Sequence, residues 1–99
     1  MPRELVIGWD IGGAHIKAAR VEAGRVRDIV QWPCPLWQGL SQVDSVLAAA
    51  TQRWPDHTEA DHAVTMTGEM ADLFEHREAG VTTLARRFTG CFGERVAFY

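Results

Sequence analysis

The strongest constraint in this 99-residue chain is an apolar run that ends on an acid and a pair of glycines: Leu5-Val6-Ile7-Gly8-Trp9, then Asp10-Ile11-Gly12-Gly13. Its unbroken apolar character predicts a strand covered on both faces, central in a sheet. Glycines reach positive φ without cost and let backbone N–H groups converge on an anion, because no side chain stands in the way. Asp10, at the strand's carboxyl end, is placed to hold Mg²⁺ directly or through water, since Mg²⁺ takes one or two carboxylates together with ligand phosphates. Lys17 adds a cation if it faces the same cleft. The pattern is neither a P-loop nor the Gly-x-Gly-x-x-Gly dinucleotide fingerprint. A plain hairpin that needs two glycines for its dihedrals accounts for the spacing equally well.

The next segment, Ala14 to Ala23, supports two readings. Its alanines favour a helix closed by Gly24, with a slight edge on propensity. The alternation of His15 and Lys17 with Ile16 and Ala18 favours a strand. Glu22-Ala23-Gly24-Arg25 then reads as a turn. Val26 to Trp32 reads as a strand in which Val26, Asp28, Val30 and Trp32 alternate with Arg27, Ile29 and Gln31, until Pro33 and Pro35 end it. Ser41-Gln42-Val43-Asp44 has the form of a capping box. The helix after it carries Val43, Val46, Leu47, Ala50 and Trp54 on one face and stops at Pro55.

Downstream, His62 to Thr67 predicts a strand ending at Gly68. A second amphipathic helix carries Val81, Leu84, Ala85, Phe88 and Phe92 and stops at Gly93, and Glu94 to Tyr99 predicts a final strand with Val96 and Phe98 on one side. No repeat or linker divides the chain, so residues 1–99 read as one domain. It ends within a strand, which predicts truncation.

Composition removes several classes of function. Hydrophobic residues at 46% and charged residues at 23% are ordinary globular values. Ten basic against thirteen acidic residues leave no electrostatic footprint for nucleic acid. No apolar run approaches the roughly 20 residues that span a bilayer, and no signal-peptide architecture opens the chain, so no membrane and a cytoplasmic location are expected. Cys34 and Cys91 are too few and unpatterned for a disulfide scaffold or a zinc site.

Val6-Ile7-Gly8-Trp9-Asp10-Ile11-Gly12-Gly13-Ala14-His15-Ile16-Lys17-Ala18-Ala19 resembles the first phosphate motif of the actin-like ATPase and sugar-kinase superfamily. More narrowly, Trp32-Pro33-Cys34-Pro35-Leu36-Trp37-Gln38-Gly39-Leu40 and Val64-Thr65-Met66-Thr67-Gly68-Glu69-Met70-Ala71-Asp72-Leu73-Phe74 are similar to segments of the hydantoinase/oxoprolinase-like proteins linked to tetrahydromethanopterin-dependent one-carbon transfer. The resemblance implies an α/β fold, the ribonuclease H-like N-terminal lobe: an antiparallel β1-β2-β3 meander, then helix, strand, helix, strand. The disputed segment is then a strand, and the phosphate sits in the β1–β2 hairpin. The resemblance also implies a transferase of methanofuran-type cofactor biosynthesis. That enzyme joins an aminomethylfuran methyl diphosphate to the phenol of γ-glutamyltyramine and releases diphosphate. Asp10 would hold Mg²⁺, while Gly12, Gly13 and Lys17 would bind the diphosphate, where developing charge needs stabilisation.

The enzymatic alternative is an ATP-dependent kinase or hydantoinase/oxoprolinase-type hydrolase of the same superfamily, with ATP use left open. Outside catalysis, the alternative is a phosphate-binding fragment or assembly module. The superfamily's second phosphate motif and adenosine motif come from a later lobe, and this sequence has neither. The expected partners are therefore a diphosphate-bearing small molecule and a missing C-terminal lobe or downstream polypeptide, and the chain alone is expected to be inactive.

Thr65, Thr67, Gly68, Glu69 and Asp72 lie where a strand hands over to a loop, the place where ligands gather in open α/β sheets. Glu69 or Asp72 would act as a base toward a phenol or as a second Mg²⁺ ligand. The competing reading makes Thr67 a cap and the acids partners of a helix N-terminus. His57, Asp61 and His62 read as a solvated loop rather than a metal cluster, and His76 as a surface residue. Cys34, between two prolines and two tryptophans, reads as packing or as part of a loop whose indoles wall a flat ring. No local cation is visible that would activate its thiol.

Overall fold

The computed structural model describes residues 4–66 and 77–99. Strand β1 (Leu5–Ile11) leads through a tight turn into β2 (His15–Glu22) and then β3 (Arg25–Pro33). Helix α1 (Ser41–Arg53), strand β4 (Asp61–Met66), helix α2 (Arg77–Phe92) and strand β5 (Val96–Phe98) complete the chain. The five strands form one sheet in the order β3-β2-β1-β4-β5. β2 pairs antiparallel with both β1 and β3, whereas β1–β4 and β4–β5 are parallel.

The alternating segment 15–22 is therefore a strand, against its alanine-rich helix propensity. Both of its edges are hydrogen-bonded, to β1 and to β3, and Ile16 and Ala18 enter the core. Tertiary pairing outweighs a propensity difference of a few tenths of a kcal/mol per residue. Its link to β3 is Ala23-Gly24, both left-handed (φ 49° and 78°), the signature of a type I′ turn whose twist suits a two-residue hairpin. β3 carries one extra residue: Arg20 pairs with Asp28 and Val21 with Val26, so Arg27 bulges from the sheet edge.

Period-two alternation sorts β1 cleanly. Leu5, Ile7, Trp9 and Ile11 are buried, while Val6 is exposed and Gly8 and Asp10 are half-buried. β1 is central as expected, but among the described residues helices cover one of its faces only. Val43, Val46, Leu47 and Ala50 of α1 share one core with Leu84, Phe88 and Phe92 of α2 and the inward residues of β1, so the core lies on the helix side. The other face presents an in-register row across all five strands: Ile29, Ala19, Gly8, Ala63 and Ala97.

Two local expectations are corrected. Ser41 does not cap α1: Leu40 occupies the cap position without a side-chain bond, and Asp44 pairs with Arg87 of α2 instead of reaching back. Val81 is exposed rather than part of the inward stripe of α2. Val46, Leu47, Ala50 and Trp54 pack as their spacing predicts, and Gly93 (φ 76°) ends α2 in the left-handed conformation. Val96 and Phe98 both pack against the core.

Trp9 is the hub of that core. Its ring stacks on Trp32 at 6.1 Å and meets Trp54, Phe88 and Phe92 at 6.3, 5.3 and 5.5 Å. Its indole N–H donates to His62 Nδ1 at 3.0 Å. An indole nitrogen can only donate, so His62 Nδ1 carries no proton, and Nε2–H donates to the His57 carbonyl at 2.9 Å. His62 stacks on Phe92 at 3.9 Å and is 2% exposed, so it is a core residue rather than a loop one. Trp54 donates to Asp28 at 3.0 Å, which satisfies the second buried indole. Asp28 is held down at about 2, first by the hydrogen bond from Arg53. Arg20 bridges Asp56 (2.6 Å) and Glu22 (2.9 Å), tying β2 to the loop after α1.

Burial holds the His62 imidazole below its ordinary value of 6.5. Above that value both folded and unfolded chains keep it neutral. Below it the unfolded chain takes up a proton that the folded chain refuses, so stability falls with falling pH. Urea denaturation should accordingly show a lower unfolding free energy at pH 5.5 than at pH 7.5, with a smaller difference in His62→Leu. Equal values for the native chain at both pH values would contradict this role of His62.

Candidate phosphate site at the end of the central strand

Because Trp9 points into the core, pleating turns Asp10 to the open face. Asp10 pairs with Lys17 across the antiparallel ladder and with Thr65 across the parallel one. An acid, a cation and a hydroxyl therefore share one row. The Thr65 hydroxyl donates to the Trp9 carbonyl at 3.1 Å and lies 3.5 Å from the Asp10 carboxylate. Lys17 is exposed and makes no ion pair among the described residues. These three residues line a shallow groove of about 350 Å³ together with Gly8, Ala19 and Ile29.

The glycine turn differs in detail from its expected form. The Gly12 N–H donates to the His15 carbonyl at 2.9 Å, closing the loop, so that amide is spent internally. Neither Gly12 nor Gly13 is among the residues with positive φ. The turn therefore does not need the pair for left-handed dihedrals. Among the described residues no acceptor takes the Gly13 or Ala14 N–H. Among the described residues the donors left over are thus Gly13 and Ala14, one residue later than the sequence indicated. Ala14 was overlooked because an amide donor leaves no mark in residue type; only the register of the turn reveals it.

The same end of the sheet holds the start of the 34–40 segment. The Cys34 N–H donates to the Ala14 carbonyl at 2.8 Å, fixing this segment beside the turn. Cys34 itself is fully buried and burial pushes its thiol up, so it packs rather than reacts. Of the four tryptophans, Trp9 and Trp54 are buried, Trp32 is half-buried against the core, and Trp37 stands exposed. His57 and His62 do come together, but both ring nitrogens of His62 are engaged, and no group of three or more metal-ligating residues occurs among the described residues. Thr67, Gly68, Glu69, Asp72 and His76 lie outside the described residues.

An antiparallel three-strand meander followed by helix, parallel strand, helix, parallel strand, in sheet order 3-2-1-4-5, is the ribonuclease H-like fold of the actin-like ATPases. Solved structures of the Ppx/GppA phosphatase family from Aquifex aeolicus share it. The type II variant superimposes with a TM-score of 0.60 at 11% identity, covering 97% of this chain and 35% of that one. A second structure of the Aquifex aeolicus family member gives 0.56 at 13% identity, covering 99% and 35%. This chain therefore spans about a third of the length of those relatives. The likeness carries the fold and does not extend to the hydantoinase/oxoprolinase relationship. No protein-family model matches the chain, and no curated protein matches it. Among the described residues, no helix is long and apolar enough to cross a membrane.

Asp10 and Lys17 add little to the core, so their roles separate from folding. Asp10→Asn and Lys17→Gln should each leave stability within about 0.5 kcal/mol of the native chain in urea unfolding, as for surface positions generally. Trp9→Ala should cost about 3–5 kcal/mol. A loss above about 2 kcal/mol in Asp10→Asn would make the carboxylate structural.

Proposed function

We propose that this chain is the phosphate-binding lobe of an enzyme that cleaves or transfers a phosphoanhydride or phosphate ester, completed by a second lobe. The observation that carries this reading is the pair of amides, Gly13 and Ala14, that no acceptor takes among the described residues, beside a row of Asp10, Lys17 and Thr65. Backbone donors in a turn, with a lysine on the strand that follows it, suit an anion. A single carboxylate facing an open groove suits Mg²⁺, which keeps most of its waters and shares a ligand phosphate. When bound, the ion would supply charge neutralisation at the phosphate oxygens. The chain's own contribution is positional: Gly13 and Ala14 orient the anion, Lys17 offsets its charge, and Thr65 steadies the strand end that carries Asp10. Glu69 and Asp72, which follow β4 in sequence, are assigned the role of base in this proposal.

A phosphohydrolase or kinase-type reaction is the reading favoured by the fold, because the solved structures that share it are described as phosphatases. The second reading is the transferase of methanofuran-type cofactor biosynthesis. It is favoured by the segments Trp32 to Leu40 and Val64 to Phe74, and it uses the same hairpin to hold the departing diphosphate. The two diverge in the acceptor: water or a hydroxyl at phosphorus in the first, the phenol of γ-glutamyltyramine at carbon in the second.

Calorimetric titration of the chain with inorganic pyrophosphate and Mg²⁺ tests the shared claim. Binding should weaken at least tenfold, about 1.4 kcal/mol, in Asp10→Ala. It should also weaken when Mg²⁺ is chelated. No binding by the native chain, or the same affinity in Asp10→Ala, would overturn the proposal.

A further inference from the structure

Strand β2 carries a second exposed basic side chain, His15, two residues before Lys17. The residues of its first half alternate: Ile16 and Ala18 are buried, while His15 and Lys17 are exposed. Successive side chains of a strand point to opposite faces, so His15, Lys17 and Ala19 share the open face. Lys17 and Ala19 line the groove that also holds Asp10 and Thr65. His15 is the next side chain on that face toward the turn, about 7 Å from Lys17 along the strand.

The turn fixes its other neighbours. The Gly12 N–H donates to the His15 carbonyl at 2.9 Å, so these two residues extend the ladder in which Asp10 faces Lys17. Asp10 then lies diagonally across from His15, at a separation of about 7–8 Å that long side chains still bridge. His15 also follows directly on Gly13 and Ala14, whose N–H groups no acceptor takes among the described residues. It is thus the side chain between those donors and Lys17. Its ring makes no hydrogen bond or ion pair among the described residues. A neutral imidazole donates from one ring nitrogen and a protonated one from both, so either form can hydrogen-bond to a phosphate oxygen.

We infer that His15 is a ligand-binding residue of the phosphate site, its imidazole donating to an oxygen of the anion whose charge Lys17 offsets. The inference rests on the phosphate reading above and adds a side chain to it.

Inorganic pyrophosphate with Mg²⁺ is the probe. In calorimetry His15→Ala should weaken its binding about fivefold, the size of one exposed hydrogen bond. His15→Gln keeps an N–H donor and should recover part of that loss. In NMR of the native chain the His15 ring resonances should move on titration, while those of His62, sealed in the core, stay in place. If pyrophosphate binds but the His15 ring does not respond, or His15→Ala binds as tightly as the native chain, or His15→Gln recovers nothing, the inference fails and the phosphate reading stands. If the native chain does not bind, both fail. Circular dichroism of His15→Ala should match the native chain, as an exposed position requires. Should that variant lose its folded signal, the ring shifts of the native chain decide the point alone.

Discussion

The hydrogen bond from the Trp9 indole to His62 fixes more of this molecule than any other single contact. It joins the two central parallel strands through their side chains, in addition to the backbone ladder, and sets the tautomer of a buried imidazole. Phe88 and Phe92 of α2 and Trp54 at the end of α1 close around the same indole. With Trp9 committed to that side, its neighbour Asp10 has one place to go, the opposite face. The placement of Asp10 on the open face is thus a consequence of core packing one residue away. A one-residue slip of β1 would bury the carboxylate and expose the indole.

The division between faces also shapes what the chain can do. The sheet is mixed, with β1, β4 and β5 parallel and β2 and β3 antiparallel, and among the described residues no helix covers the row from Ile29 to Ala97. The sheet edge at β3 is blunted by the bulge at Arg27 and by Pro33. Apolar surface is therefore presented on the face that carries Asp10 and Lys17, which agrees with the proposal that a second lobe completes the site.

The sequence made the order of elements legible where side-chain period and punctuation agreed. Val46, Leu47 and Ala50 with Pro55, or Phe88 and Phe92 with Gly93, leave little room for another reading. It was ambiguous from Ala14 to Ala23, because alanine's intrinsic preference opposed a pairing partner that lies elsewhere in the chain; the resemblance to the actin-like superfamily resolved that segment. Asp44 was misjudged for the same reason: its partner Arg87 is 43 residues away, and proximity in sequence favoured a cap. At the candidate site, the pairing of Asp10 with Lys17 follows from the strand reading of the second segment. The Gly13 and Ala14 amides were not legible, since which donor of a turn is left over depends on the register of its closing bond.

The most direct measurement of the central claim is an amide-resolved NMR titration of the chain with pyrophosphate in the presence of Mg²⁺. Large shifts at the Gly13 and Ala14 N–H resonances are expected, with Gly12 moving much less because its amide is already bonded to His15. Shifts scattered over exposed lysines and arginines, with Gly13 and Ala14 unmoved, would contradict the account.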